Sequence, residues 1–226
     1  MKIWRVTFTG ADDDTSIGEM VKLSYQHKHL EWGILFSQSK SGVARYPSPQ
    51  WVDRLSTSLN LSAHLCGKWV EDALNGDMSF NDARFSRIQL NCGKSRLRTA
   101  LTSQKLVETC ARAFERDRCL ALGSIILGGD YEGASGVPSS KFEFLFDASG
   151  GTGESPKTWM PLFSSESCGY AGGLNPDNLE EELQKMEVVA GDRSIWIDME
   201  TGVRSEDKFD LNKVEQCLKI VEPWLL

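Results

Sequence analysis

The sequence predicts an α/β protein folded as one TIM (β/α)8 barrel spanning residues 1–226, and three observations lead there. Short apolar, strand-like runs recur eight times with helical segments between most of them, the alternation of parallel βα units. Several of the runs are almost continuously apolar, as in strands covered by helices. No internal repeat, low-complexity stretch or linker divides the chain, so eight units in one domain favour a closed barrel over an open sheet.

The strands are expected at Ile3–Thr9, Trp32–Ser37, Leu61–Cys66, Phe85–Asn91, Ser124–Leu127, Phe142–Asp147, Cys168–Ala171 and Ser194–Asp198. After the first strand, Ser16 and Glu19 form a capping box ahead of Met20, Val21 and Leu23. Ser48-Pro49 supplies a cap and an N1 proline before Trp51, Val52 and Leu55. Ser103–Asp117 carries Leu106, Val107, Cys110, Ala113 and Phe114 at helical spacing. Helices are expected again at Pro176–Met186 and at Asp210–Pro223. The connection Gly128–Lys141 is Gly- and Ser-rich and reads as irregular, and only Thr158–Phe163 is available as a helix after the sixth strand.

Composition narrows the function. The net charge of −7 argues against a nucleic-acid surface, and no basic run exceeds Lys94-Ser-Arg-Leu-Arg98. The start, Met1-Lys-Ile-Trp-Arg-Val6, has no apolar leader, and no stretch reaches the ~18–20 apolar residues of a membrane span. Six cysteines without C-x-x-C pairing read as free thiols in a reducing compartment. A soluble cytoplasmic protein is expected, with a small-molecule ligand, no nucleic-acid or membrane partner and no cofactor.

Two glycine-rich runs carry the functional signal. Leu145-Phe-Asp-Ala-Ser-Gly-Gly-Thr-Gly153 joins a strand to an aspartate and a flexible loop. Ala171-Gly-Gly-Leu-Asn-Pro-Asp-Asn178 ends another strand and opens a helix. Backbone N–H groups and a helix N-terminus placed this way suit an anion.

In spacing and order these runs resemble phosphoribosylanthranilate isomerase, a barrel of the ribulose-phosphate-binding type. Further similarity lies in Val6-Thr-Phe-Thr-Gly10, in Gly33-Ile-Leu-Phe-Ser37 through Arg45-Tyr46 to Ser48-Pro49, in Gln89-Leu-Asn91 and in Asp198-Met-Glu-Thr-Gly-Val203. The family performs an Amadori rearrangement with an aspartate acid and a cysteine base. Asp147 matches the acid, Thr9 stands in the cysteine's place and Asn91 where a histidine is usual. A threonine hydroxyl is no comparable base near neutral pH, so true phosphoribosylanthranilate isomerase activity is not expected. The resemblance puts phosphate between Gly172-Gly173 and the loop after strand eight, with Gly151, Thr152, Gly153, Thr201 and Gly202 nearby. Glu200 brings negative charge there, and Arg204 is the candidate cation to offset it.

Each candidate has a plainer reading beside it. Asp147 serves the site or caps the loop that follows. His64 and Cys66 share a face on strand three and supply a base and a nucleophile, or are a core histidine and a buried thiol. Gln89 and Asn91 bind a sugar hydroxyl or fill the barrel as amides. Asp198 and Glu200 share an inward face, which is costly without a ligand, a shared proton or an ion pair to Arg45, Lys68 or Arg204. Arg45 matches a substrate-contacting arginine of the family or is a solvated loop residue. Asp12-Asp13-Asp14 reads as a solvated helix approach or as a face presented to a cation.

Three functions follow. The first is an acid–base enzyme of the isomerase type on a phosphorylated sugar or related anionic metabolite, with Asp147 paired to His64 or Glu200. The second is a non-catalytic ligand-binding or regulatory barrel. The third is a lyase or hydrolase built on Asp198 and Glu200, with or without Mg2+.

Overall fold

The computed structural model describes residues 1–77, 80, 82–92, 122–127 and 142 (both backbone only), 143–147, 149, 153–162 and 168–226. The eight strands of its barrel are β1 (Lys2–Thr9), β2 (Leu30–Phe36), β3 (Leu61–Cys66), β4 (Phe85–Asn91), β5 (Leu122–Leu127), β6 (Phe142–Asp147), β7 (Cys168–Ala171) and β8 (Ser194–Met199). They pair in chain order, all parallel, and β8 closes on β1. The expected barrel is the observed one. Four strand spans are as anticipated; β2 and β5 begin two residues earlier than expected and β1 one, β2 also ends one residue earlier, and β8 ends one residue later.

Helices α1 (Ile17–Gln26) and α2 (Pro49–Asp53) begin where their caps place them: Ser16 Oγ accepts from Glu19 N and Ser48 Oγ from Trp51 N. Between β3 and β4 lies α3 (Lys68–Leu74), which the sequence did not announce because Gly67 offers no capping side chain. Helix α4 (Leu179–Ala190) starts three residues later than expected, Pro176–Asn178 forming a turn instead. Helix α5 (Leu211–Val221) is capped by Asp210 and followed by a 3-10 turn at Glu222–Trp224. Residues 158–162 are not helical, and the expectations for 103–117 and 128–141 fall outside the described residues.

Alternate residues of each strand face opposite ways, and the outward ones form the apolar layer under the helices. Phe8, Ile34, Leu65, Leu90, Phe144 and Ile197 are all buried there. The inward ones are largely polar. Arg5, Thr7 and Thr9 on β1, Glu31 on β2, Ser62 and His64 on β3, Arg87 and Gln89 on β4, and Glu143 on β6 are all at most 5 % exposed.

The lower half of this interior is an ionic network. Arg87 Nε donates to Glu31 Oε1 at 3.1 Å, Arg5 Nη1 lies 3.6 Å from Glu31 Oε2, and Arg5 Nη2 also binds Glu143. Both guanidiniums lie against the Trp196 ring, 4.4 and 4.5 Å from its centroid. Gly169 on β7 makes room for that indole, since a Cβ there would overlap its ring atoms. Buried charges persist only when paired and hydrogen-bonded, and here each cation meets an anion and an aromatic face.

Candidate active site

The strands' C-terminal ends deliver the upper polar residues to one cavity of about 80 Å3. His64, Gln89, Asn91, Asp147, Asp198 and Glu200 all line it. Asp147 pairs with Ala171 and Ala171 with Asp198, so the two aspartates stand at one level on strands separated only by β7.

Asp198 is buried, and loss of solvent pushes its carboxyl up to about 7 against the opposing pull of the Thr9 hydroxyl and Arg87. Glu200 adds to the upward push. Thr9 Oγ1 donates to Asp198 Oδ1 at 2.7 Å and lies 3.5 Å from His64 Nδ1. Glycine is required at Gly33, because a Cβ there would overlap Thr9 Oγ1 and press on the His64 ring. Asp147 is half-buried, and its Oδ1 accepts from Ser149 N and Ser149 Oγ at 3.0 and 2.7 Å. It therefore caps its loop and lines the cavity at once.

His64 and Cys66 are poorly suited as base and nucleophile. Burial, then the Arg87 charge, holds His64 well below the ordinary histidine value. Burial pushes the Cys66 thiol up to about 11. Both are neutral at pH 7.

The loops after β6, β7 and β8 meet at the other wall, through Gly153, Gly172, Gly173, Thr201 and Gly202. A Cβ on Gly173 would overlap Ser155 N, and one on Gly202 would overlap Leu174 O, so the approach demands glycine. Among the described residues no acceptor meets the N–H groups of Gly172, Gly173 or Gly202. Gly151 and Thr152 lie outside the described residues.

Arg204 does not offset Glu200, contrary to expectation. Its guanidinium is buried against Gly10 O at 2.7 Å, Asp12 Oδ2 at 3.0 Å and the Asp207 carbonyl. The cation at Glu200 is Arg45, whose Nη1 lies 3.0 Å from Glu200 Oε1 and 3.2 Å from Thr201 Oγ1. Arg45 also pairs with Asp207, and its backbone N donates to Asp12 Oδ2 at 2.8 Å from a left-handed φ of 74°. Asp12, read from sequence as a solvated approach, is thus the buried tie between three loops. Lys68 pairs with Asp72 on its own helix. No group of three or more potential metal ligands occurs among the described residues.

The model for N-(5'-phosphoribosyl)anthranilate isomerase matches residues 131–220, which carry β6 to β8 and the glycine loops. Phosphoribosyl anthranilate isomerase from Thermococcus kodakaraensis superposes on 98% of this chain and 99% of its own with a TM-score of 0.53 and 12% identity. Over nearly its whole length the chain shares the (β/α)8 barrel fold of this isomerase. A second such isomerase, from Pyrococcus furiosus, gives a TM-score of 0.49 at 13% identity over 97% of this chain and 98% of that one. A truncated 3-deoxy-D-arabino-heptulosonate 7-phosphate synthase from Thermotoga maritima reaches 0.52 at 7% identity, over 98% and 85%. The isomerase-like barrel thus shares its frame with proteins of different named activities, so the frame does not choose the reaction. No curated protein sequence matches the chain. Among its described residues no helix is long and apolar enough to cross a membrane.

Sequence reasoning missed the charged interior. Arg5, Glu31, Arg87 and Glu143 each lie two or four residues from an inward position on their own strand, and period-two alternation places them. Tyr46 was also passed over; burial, with Cys66 and Glu200 beside it, raises its phenol to about 12.

Proposed function

We propose that the isomerase-like barrel is an acid–base enzyme of the isomerase type, acting on a phosphorylated sugar or a related polar anionic metabolite. It does not isomerise phosphoribosylanthranilate at a useful rate, because Thr9 replaces the cysteine base. The observation that carries the reading is the level pair Asp147 and Asp198 on one cavity, with the Asp198 carboxyl held near 7. A carboxyl poised near neutral pH takes up and returns protons efficiently. Asp198 then serves as the counterpart of Asp147, in preference to His64 and Glu200.

In this reading Asp198, as carboxylate, accepts the proton from the carbon next to a carbonyl, and Asp147 handles the proton on the oxygen. Returning the proton to the neighbouring carbon completes the isomerisation, and no group is consumed. The glycine N–H groups of the loops that follow β6, β7 and β8 receive the anionic end. Glu200 opposes that anion, and Arg45 offsets the opposition.

The test is proton exchange. In D2O, a panel of phosphorylated aldoses and ketoses is followed by NMR with wild type, Asp147→Asn and Asp198→Asn. Exchange of a carbon-bound proton by wild type, lost in both variants, supports the reading. Complementation of a strain lacking phosphoribosylanthranilate isomerase at normal expression would refute its negative part.

A second reading, a non-catalytic ligand-binding barrel, is favoured by the engagement of Asp147 with Ser149 and of Glu200 with Arg45. Phosphosugar binding by wild type without any exchange would select it.

A further inference from the structure

Thr9 is the last residue of β1, is 1 % exposed, and its Oγ1 lies 2.7 Å from Asp198 Oδ1. An ionised carboxylate only accepts, so the hydroxyl gives its one hydrogen to Oδ1. His64 Nδ1, at 3.5 Å from the same hydroxyl, is at the limit of a hydrogen bond. The strand ladder does not impose the contact: Asp198 pairs with Thr7, and Thr9 is paired to Gly33 on its other side. The hydroxyl reaches diagonally across the seam between β1 and β8.

Two features hold it there. A β-branched side chain is stiff about χ1, which fixes the direction of the hydroxyl. On the other flank Gly33 has no side chain, and a Cβ there would stand 2.2 Å from Thr9 Oγ1. Gly33 lies inside β2 without a positive φ, so its backbone does not call for glycine, and a bare residue weakens a strand. The space it leaves is filled by the Thr9 hydroxyl and the His64 ring. Asp198 lines the cavity, and its Oδ2 meets no donor among the described residues.

We propose that Thr9 is a positioning residue: by occupying Oδ1 it makes Oδ2 the oxygen of Asp198 that takes and returns the proton. The catalytic consequence rests on the acid–base reading above. The proton leaves the substrate carbon, bonds to Oδ2 and returns to the neighbouring carbon, while the Thr9 O–H bond stays intact. The charges that also bear on Asp198 are Arg87 on β4, Glu200 beyond β8 and Glu31 on β2. Asp147 stands at its level on β6, and the neutral His64 on β3 lies beyond the Thr9 hydroxyl.

The test follows the Asp198 carboxyl by 13C NMR on the full chain without ligand, with Asp198→Asn assigning the signal. Thr9→Val keeps the shape of the side chain and removes the hydroxyl. The ionised form then loses its donor, and the midpoint should move up by ~1–2 pH units. Thr9→Ser keeps a hydroxyl and should return the midpoint to the wild-type value. A midpoint that stays put or falls in Thr9→Val, or that Thr9→Ser fails to restore, would overturn the proposal. Should Thr9→Val not fold, neutron diffraction from wild-type crystals held below the midpoint decides. The deuteron should lie on Oδ2, with the Thr9 O–D directed at Oδ1; a deuteron on Oδ1, or an O–D turned to His64, would overturn it.

Proton exchange on the phosphosugar panel adds a kinetic readout. In Thr9→Val the rate at pH 7 should fall about tenfold and recover as pH is raised, which a purely structural defect would not do. The expected titrations without exchange on any phosphosugar would leave the positioning role standing and the enzymatic reading failed.

Discussion

Thr9 gives its hydroxyl hydrogen to Asp198 across the seam where β1 meets β8, at 2.7 Å. Where the resembling family has a cysteine base, this chain has a donor serving a carboxyl on the next strand. In the acid–base reading proposed above, the proton-accepting group lies one strand around the barrel, on β8 in place of β1. Measurements on Asp198 test that directly.

The Asp198 carboxyl sits at about 7 in the folded protein, against about 3.9 for an ordinary aspartate. The folded state therefore binds this proton more tightly than the unfolded chain. The stability associated with it is complete below the unfolded value and is lost as pH rises through about 4 to 7. Asp198→Asn removes the dependence. The melting temperature of the variant minus that of wild type should grow from pH 5 to pH 8 and level off above it. A flat difference would mean that Asp198 ionises normally. Turnover, if the acid–base reading holds, should fall by ~10²–10⁴ in the same variant.

Glu200→Ser should tighten phosphate binding. It removes a carboxylate from the cavity that the glycine loops line and leaves Arg45 paired to Asp207. Both partners are partly exposed, so stability should change by less than about 1 kcal/mol. Titration calorimetry with inorganic phosphate and ribose 5-phosphate reads the effect. Unchanged or weaker binding in the variant would place the anion elsewhere.

The barrel was legible because its outward strand faces are apolar and its helix starts carry caps; Ser16 and Ser48 stand where their side chains say. The helix Lys68–Leu74 was not, because its cap is Gly67, whose backbone sits at φ 60° and whose absent side chain leaves no signature. The lining of the cavity was legible at Asp147, Asp198 and the glycine loops, where motif and strand end coincide. Arg204 misled because sequence proximity to Glu200 says nothing of direction: its side chain turns away to Gly10 and Asp12. Arg87 stayed invisible because a charge inside a strand argues against burial until its partner, Glu31, is known to face the same interior from β2, two strands away.

Gly169→Ala should destabilise the protein by ~1–3 kcal/mol, the cost of overpacking a filled core. The new methyl would overlap the Trp196 indole, on which Arg5 and Arg87 both rest. Denaturant unfolding gives the number. A neutral outcome would mean that the indole has room to shift.

Ser62 and Glu31 are both buried in the interior, yet they should respond oppositely to alanine. Among the described residues Ser62 Oγ has no hydrogen-bond partner, so Ser62→Ala should be neutral or slightly stabilising. Glu31→Ala removes the carboxylate shared by Arg87 and Arg5 and should cost ~3–5 kcal/mol, the penalty of breaking a buried ion pair. Equal losses in the two variants would contradict the network's role.

The ionic interior also limits how this sequence can drift. Arg5, Glu31, Arg87 and Glu143 come from four different strands, and changing any one leaves a partner charged in a dry place. An aliphatic barrel can exchange one residue at a time, each step costing little. Here the tolerated route is joint replacement, because the members are coupled and single steps are penalised. Homologous chains should therefore carry either all four charges or none of them, with Trp196 and the bare Gly169 travelling alongside.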